Sequence, residues 1–193
     1  SVDHPVSLYA ATKKSNEIIA HCYSHLYKIP STGLRFFTVY GPWGRPDMAP
    51  FIFAKSILKK IPIKVFNYGK MKRDFTYISD VVEAIYRCSK KPAKVNPYFN
   101  KKDPEPSSSD SPFRIFNLGN SNSIELLRFI ECLEDALGVK AIKEYLPMQP
   151  GDVEETAANT NALSEWINFT PNTQLEDGIK KFADWFIQYY KSD

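Results

Sequence analysis

Apolar positions along this chain recur with two different periods, and the switches between them mark its elements. From Leu8 to about Tyr27 they fall three and four apart. Leu8, Ala11, Ile18, Ile19, Cys22 and Leu26 form one broad stripe, the spacing of an amphipathic helix, and Ser7 stands where its N-cap belongs. Thr32–Phe37 then reads as a buried strand that delivers a loop. The stretch A-P-F-I-F-A-K-S-I-L-K-K returns to helical spacing, I-K-V-F is a short strand, and S-D-V-V-E-A-I-Y-R-C-S-K is a helix capped by Ser79 or Asp80. Further on come a strand, F-R-I-F-N-L, a helix from about Ser123 to Leu137 stopped by Gly138, and a strand, A-I-K-E-Y-L. A last helix follows, in which Thr173 and Glu176 form a capping box ahead of D-G-I-K-K-F-A-D-W-F-I-Q-Y-Y.

Strand and helix alternate throughout, which predicts an α/β fold with a mostly parallel sheet. The run from Lys90 to Pro112 is rich in Pro, Ser and charge without period, and reads as a flexible surface loop. One expected feature is out of place. A complete nucleotide-binding domain of this class opens with a strand, a Gly-rich turn and a helix, yet neither that glycine pattern nor a P-loop occurs in the 193 residues. Either the protein is not of that kind or its first half is not in this chain.

Composition narrows the field. A hydrophobic fraction of 43% is enough to fill a core. No apolar run is long enough to span a bilayer and the first residues lack the pattern of a signal peptide, so a cytoplasmic location and no membrane partner are expected. A net charge of +3 does not argue for nucleic acid. Cys22, Cys88 and Cys132 are scattered and odd in number, which fits reduced thiols better than a disulfide framework. His21 and His25 share a helix face, but no third ligand is evident for a metal.

Chemistry concentrates at the start of the first helix. Tyr9 and Lys13 are four residues apart, so phenol and ammonium share one face. Free tyrosine is protonated at neutral pH, and a cation held close favours the phenolate. The pair is therefore a usable acid–base couple.

Y-x-x-x-K at Tyr9 and Lys13 is followed by a strand ending L-R-F-F-T-V-Y-G-P and then by G-P-W-G-R-P-D-M-A, N-Y-G-K-M-K-R-D-F-T-Y-I and M-Q-P-G-D-V. In these motifs, over essentially all 193 residues, the chain resembles the extended short-chain dehydrogenase/reductase family, and within it the UDP-glucuronate 4-epimerases. In that family the glycine-rich half and the catalytic Ser or Thr precede the tyrosine. The resemblance therefore implies the C-terminal part of a Rossmann-type parallel-sheet domain (1–47 and 79–117, with 90–112 a flexible loop), plus a small α/β nucleotide-sugar-binding domain (48–78 and 118–193). The chain would be the C-terminal half of an enzyme about twice as long, with an uncovered sheet edge that favours aggregation or pairing.

The implied reaction is redox-neutral inversion at the sugar C4 with NAD as cofactor and a UDP-sugar as substrate. Tyr9 would be the base, Lys13 would hold the nicotinamide ribose, and Phe37 would line the nicotinamide. Thr38 and Arg45 would sit near the sugar, where a guanidinium can grip a carboxylate with two parallel hydrogen bonds. Holding that carboxylate would also suppress loss of CO2 from a 4-keto acid. Arg73 would bind the diphosphate, Phe66 would stack near uracil and Asp152 would lie near the nucleotide. Gln149 stands where many relatives acting on neutral sugars carry arginine. The resemblance also implies a homodimer through the helix bearing Tyr9, so its stripe faces either a partner or its own core. A UDP-glucuronate decarboxylase, a UDP-glucose 4-epimerase and a noncatalytic nucleotide-sugar-binding fragment are the alternatives.

Overall fold

The structure is a computed structural model that describes residues 2–149 and 151–190. Ser1, Pro150 of the M-Q-P-G-D-V motif and residues 191–193 lie outside that description. The chain forms two compact units, one of residues 1–36, 84–118 and 160–169, the other of residues 37–83, 119–159 and 170–193.

In the first unit, helix α1 (Leu8–Tyr27) starts as expected, with the Ser7 hydroxyl accepting from the Ala10 N–H at 3.2 Å. Of the two orientations left open for its stripe, a partner or its own core, the structure excludes the core of this unit. Ile18, Ile19, Cys22 and Leu26 are exposed, and only Ser24 of the helix is buried. The inward face carries Lys14, Glu17, His21 and Ser24, also three and four apart. What docks α1 is a two-pronged ion pair: the Glu17 carboxylate takes Arg35 Nε at 2.6 Å and a terminal Arg35 nitrogen at 2.8 Å. Arg35 lies on strand β1 (Ser31–Phe36). Hydrophobic periodicity finds such a helix but does not tell a core-facing stripe from an exposed one when polar groups pair inward.

Strand β1 runs parallel to the later strand Phe113–Leu118. At Phe37 the chain leaves that sheet, and strand β2 (Thr38–Tyr40) joins another. The strand expected over Thr32–Phe37 thus ends at Phe36, since the residues beyond Phe37 pair with a different neighbour, and it is not the buried strand expected, because none of its residues is buried.

The second unit holds helix α2 (Ala49–Leu58), with Pro in its first turn, where the missing N–H costs nothing. Strand β3 (Ile63–Val65) follows, then a tight 3-10 turn (Phe66–Gly69), and strand β4 (Lys72–Tyr77). Strand β4 is parallel to β2 and antiparallel to strand β6 (Ser123–Glu125). The alternation had assigned Ser123–Glu125 to a helix. That helix, α4 (Leu126–Leu137), begins at Leu126 because the three preceding residues are taken up pairing with Lys72–Asp74. Strand β7 (Lys143–Tyr145) pairs parallel with β3. The fold is α/β and the pairings between its described strands are mostly parallel, β4–β6 being antiparallel.

Helix α3 (Ile78–Lys90) connects to strand β5 (Phe113–Leu118) through the long loop. Ser79 and Asp80 lie inside α3 rather than capping it. The Asp80 carboxylate instead accepts the N–H groups of Asn172 and Thr173 at 3.2 and 2.9 Å. The Thr173–Glu176 capping box is absent for a related reason. Helix α6 (Leu175–Tyr189) is preceded by Gln174 at the cap position, without a side-chain cap, and Glu176 pairs with Arg128 at 2.7 Å. The loop 91–112 has no regular element, yet it is pinned. Ser108, Ser109 and Ser111 are buried, and the Asn96 side chain donates to Ser108 at 3.0 Å. Helix α5 (Asn161–Ile167) was too short to show a period.

The core of the second unit lies between α4, α6 and β4. Phe75 and Phe129 stack at 4.3 Å, and Ile130, Leu133, Ile179 and Phe182 are fully buried. At the end of α4 (Leu126–Leu137), which Gly138 stops as expected, Glu134 is buried at 3% exposure. Its carboxylate takes the Lys143 ammonium, Lys140 at 3.0 Å and the Ala141 N–H at 3.0 Å. Burial pushes this carboxyl upward, but those partners outweigh it and hold it below the ordinary carboxylate value. The stabilisation is therefore present above the unfolded-state value and is lost as the pH falls through the lower folded one. Glu134→Gln is expected to cost about 2 kcal/mol near pH 7. In denaturant melts the gap to the parent protein should close on acidification.

Burial raises the thiols of Cys88 and Cys132, whereas Cys22 is exposed. Cys88 and Cys132 are expected to react with a disulfide reagent only after denaturation; fast reaction of both in the native protein would contradict this burial. Among the described residues no helix is long and apolar enough to cross a membrane.

Candidate active site

Tyr9 sits in the first turn of α1 and is 71% exposed. One helical turn on, Lys13 places its ammonium 5.3 Å from the centre of the Tyr9 ring. Both line a cavity of about 480 Å³ in the first unit, with Asn16, Gly33, Phe36 and Ile115 among its walls. The helix spacing brings phenol and ammonium together, and β1 supplies the floor. Glu17, one turn beyond Lys13, is occupied by Arg35.

The other candidate residues lie in the second unit. Phe37 is half-buried at the break between strands, and Thr38 is half-buried at the start of β2. Arg45 lies in the loop between β2 and α2, exposed, with its Nε 3.0 Å from the Asp47 carboxylate and a second nitrogen on the other oxygen. That pairing holds the Asp47 carboxyl below its ordinary range. It also demonstrates the two-pronged grip on a carboxylate of which Arg45 is capable. Phe66 opens the 3-10 turn after β3.

Arg73, on β4, is mostly covered, its side chain 17% exposed. Its guanidinium donates to the Lys72 and Glu154 carbonyls at 2.9 and 3.2 Å and to Asp152 at 2.8 Å. The structure thus joins Arg73 to Asp152, two residues that the sequence linked only through their motifs. Gln149 is exposed, and its carbonyl accepts from the Asp152 N–H at 3.2 Å.

Sequence reasoning passed over the residue that organises this neighbourhood. Asp74 is fully buried, and its carboxylate accepts from the backbone of Asn120 (2.7 Å), Ser121 (2.9 Å) and Ala158 (3.1 Å) and from the Thr76 hydroxyl (3.3 Å). Its approach to the 119–121 turn is so close that a Cβ on Gly119 would fall 2.8 Å from the carboxylate. A carboxylate inside the short strand R-D-F-T-Y, next to Phe75, was the available signal.

Among the described residues no group of three His, Cys, Asp or Glu side chains could hold a metal. His25 Nδ1 lies 3.1 Å from the Ser111 hydroxyl, and His21 packs edge-on against Phe113.

Comparison with known proteins converges on one group. Residues 1–100 match the model of the NAD dependent epimerase/dehydratase family. The chain is 56% identical over 191 residues to protein CapI of Staphylococcus aureus, covering 99% of this chain and 57% of that protein. It is 47% identical over 190 residues to a probable UDP-glucuronate 4-epimerase of Rhizobium meliloti, covering 98% and 56% respectively. Its fold is similar to that of UDP-glucuronic acid 4-epimerase from Bacillus cereus, solved with UDP-glucuronic acid and NAD, at a TM-score of 0.81 and 31% identity over 97% of this chain and 55% of that one. The chain spans little more than half the length of each of these relatives. With a family model matching more than half of its residues, this chain belongs to the NAD-dependent epimerase/dehydratase family.

Proposed function

We propose that the whole protein is a UDP-glucuronate 4-epimerase that uses NAD, and that this chain carries its proton-transfer pair and its nucleotide-sugar residues. The observation that carries the reading is the Tyr9–Lys13 pair, one turn apart and facing one cavity. It is supported by the Arg45 loop and by relatives whose names specify the glucuronate substrate.

The residues fit the cofactor. A cavity of about 480 Å³ has room for a ribose and its base, and the Lys13 ammonium is a donor suited to ribose hydroxyls. NAD, when bound, takes up and returns the hydride at the sugar C4. Lys13 would hold the ribose and keep its positive charge beside the Tyr9 ring during the proton transfer. Tyr9 would accept the proton of the 4-hydroxyl and give it back to the 4-oxygen once the sugar has presented its other face. Phe37 would contribute an apolar wall beside the nicotinamide.

In the second unit Arg45, with Thr38, would bind the sugar carboxylate, trading Asp47 for the substrate's own anion. A 4-keto uronic acid is a β-keto acid, so fixing its carboxylate in the sugar plane disfavours decarboxylation. Arg73 would meet the diphosphate, with Asp152 and Gln149 close by and Phe66 against uracil. The decisive assay incubates the whole protein with UDP-glucuronate. UDP-galacturonate without CO2 is expected, UDP-pentose with CO2 would make it a decarboxylase, and turnover of UDP-glucose alone would make it a neutral-sugar epimerase. The reading includes a homodimer built on the exposed stripe of α1, and a monomer in sedimentation at micromolar concentration would remove that part.

A further inference from the structure

The loop that carries Arg45 is fixed in an unusual way. Trp43 is 75% exposed and takes a left-handed backbone conformation, φ +62°, a region that bulky residues adopt rarely. An exposed tryptophan at such a position needs a compensating contact. It has one: the indole lies 5.3 Å from the ring of Trp185 and 5.2 Å from that of Tyr189, both on α6. Those two rings stack on each other at 5.1 Å with a 21° tilt, and Trp185 continues inward to Phe51 at 5.8 Å. The next residue is pinned too, since a Cβ on Gly44 would fall 2.6 Å from the Phe51 ring. The loop is therefore clamped at 43 and 44, immediately before Arg45.

We infer that Trp43, seated on Trp185 and Tyr189 of the C-terminal helix, is a positioning residue that sets the reach of Arg45 towards the substrate carboxylate. This rests on the reading that Arg45 binds that carboxylate. A guanidinium on a loop free to move by an ångström would lose the two-pronged geometry that gives the grip its selectivity. The aromatic contacts replace that freedom with a fixed direction, and because they sit on α6 they make the end of the chain part of the specificity apparatus.

The test is calorimetric binding of UDP-glucuronate and of UDP to the whole protein and to Trp43→Gly, Tyr189→Ala and Arg45→Ala. Glycine suits a positive φ, so Trp43→Gly removes the ring without straining the backbone, and Tyr189→Ala removes the support from the other side. Each is expected to weaken UDP-glucuronate about tenfold while leaving UDP unchanged. Neither should weaken UDP-glucuronate further in an Arg45→Ala background, because the effect passes through that side chain. Parallel loss of both ligands would mean a structural role only and overturn the inference. So would unchanged binding of both ligands in the two aromatic variants, alongside an Arg45→Ala protein that has lost its preference for UDP-glucuronate. Should Arg45→Ala keep that preference, the carboxylate reading falls first and the inference with it.

Discussion

Replacing Tyr9 with phenylalanine in the whole protein is expected to lower kcat on UDP-glucuronate by about 10²- to 10⁴-fold, with KM changed little. The substitution removes one oxygen and leaves the ring. That oxygen is the group assigned to move the proton of the 4-hydroxyl, while the ring and its neighbour Lys13 keep their shared cavity. Lys13→Met tests the other half of the pair. It should lower kcat and also weaken cofactor binding, since the ammonium is assigned both tasks. The ordering of the two defects is the informative part, because a surface tyrosine and a surface lysine would produce neither. Undiminished turnover in Tyr9→Phe would remove the tyrosine from the chemistry and leave the proposed reaction without its base.

How far the sequence discloses such a site depends on whether its geometry is local. Tyr9 and Lys13 are joined by one helical turn, so their proximity follows from the 3.6-residue period alone. Arg73 and Asp152 stand 79 positions apart, and no pattern of spacing in a single chain reports a contact of that kind. The strands show the same division. β5 was legible because a buried parallel strand is a short apolar run, whereas β1 was found in place although none of its residues is buried. Strand β6 was not, since three residues ahead of a strong helical period look like its first turn, and only the partner strand tells them apart. The stripe of α1 was found, but the side it faces was left open between a partner and its own core. Periodicity records that Ile18 and Leu26 lie along one helix, while the pairing of Glu17 with Arg35 decides which side turns inward.

Asp74→Ala is expected to be the most destabilising single change in the second unit, at about 4 kcal/mol in chemical denaturation. The reason lies in what the carboxylate leaves behind. Three backbone N–H groups, from Asn120, Ser121 and Ala158, converge on it in a fully buried place, and a methyl group satisfies none of them. Asp74→Asn keeps one acceptor but turns an N–H2 towards donors, so an intermediate loss of about 2 kcal/mol is expected. Gly119→Ala attacks the same arrangement from the opposite side. Its new methyl would meet the carboxylate at 2.8 Å and the Ala158 methyl at 2.6 Å, a clash of the size that costs about 1–3 kcal/mol. These residues also frame the diphosphate group of the proposal. Arg73 precedes Asp74 on β4, and its donors end on Glu154 and Asp152, in the segment that Ala158 ties back to Asp74. UDP affinity should therefore fall in Asp74→Asn even where the protein remains folded, and in step with the stability lost. A folded Asp74→Ala protein with parental stability and parental UDP affinity would mean that the buried carboxylate holds neither the sheet nor the site.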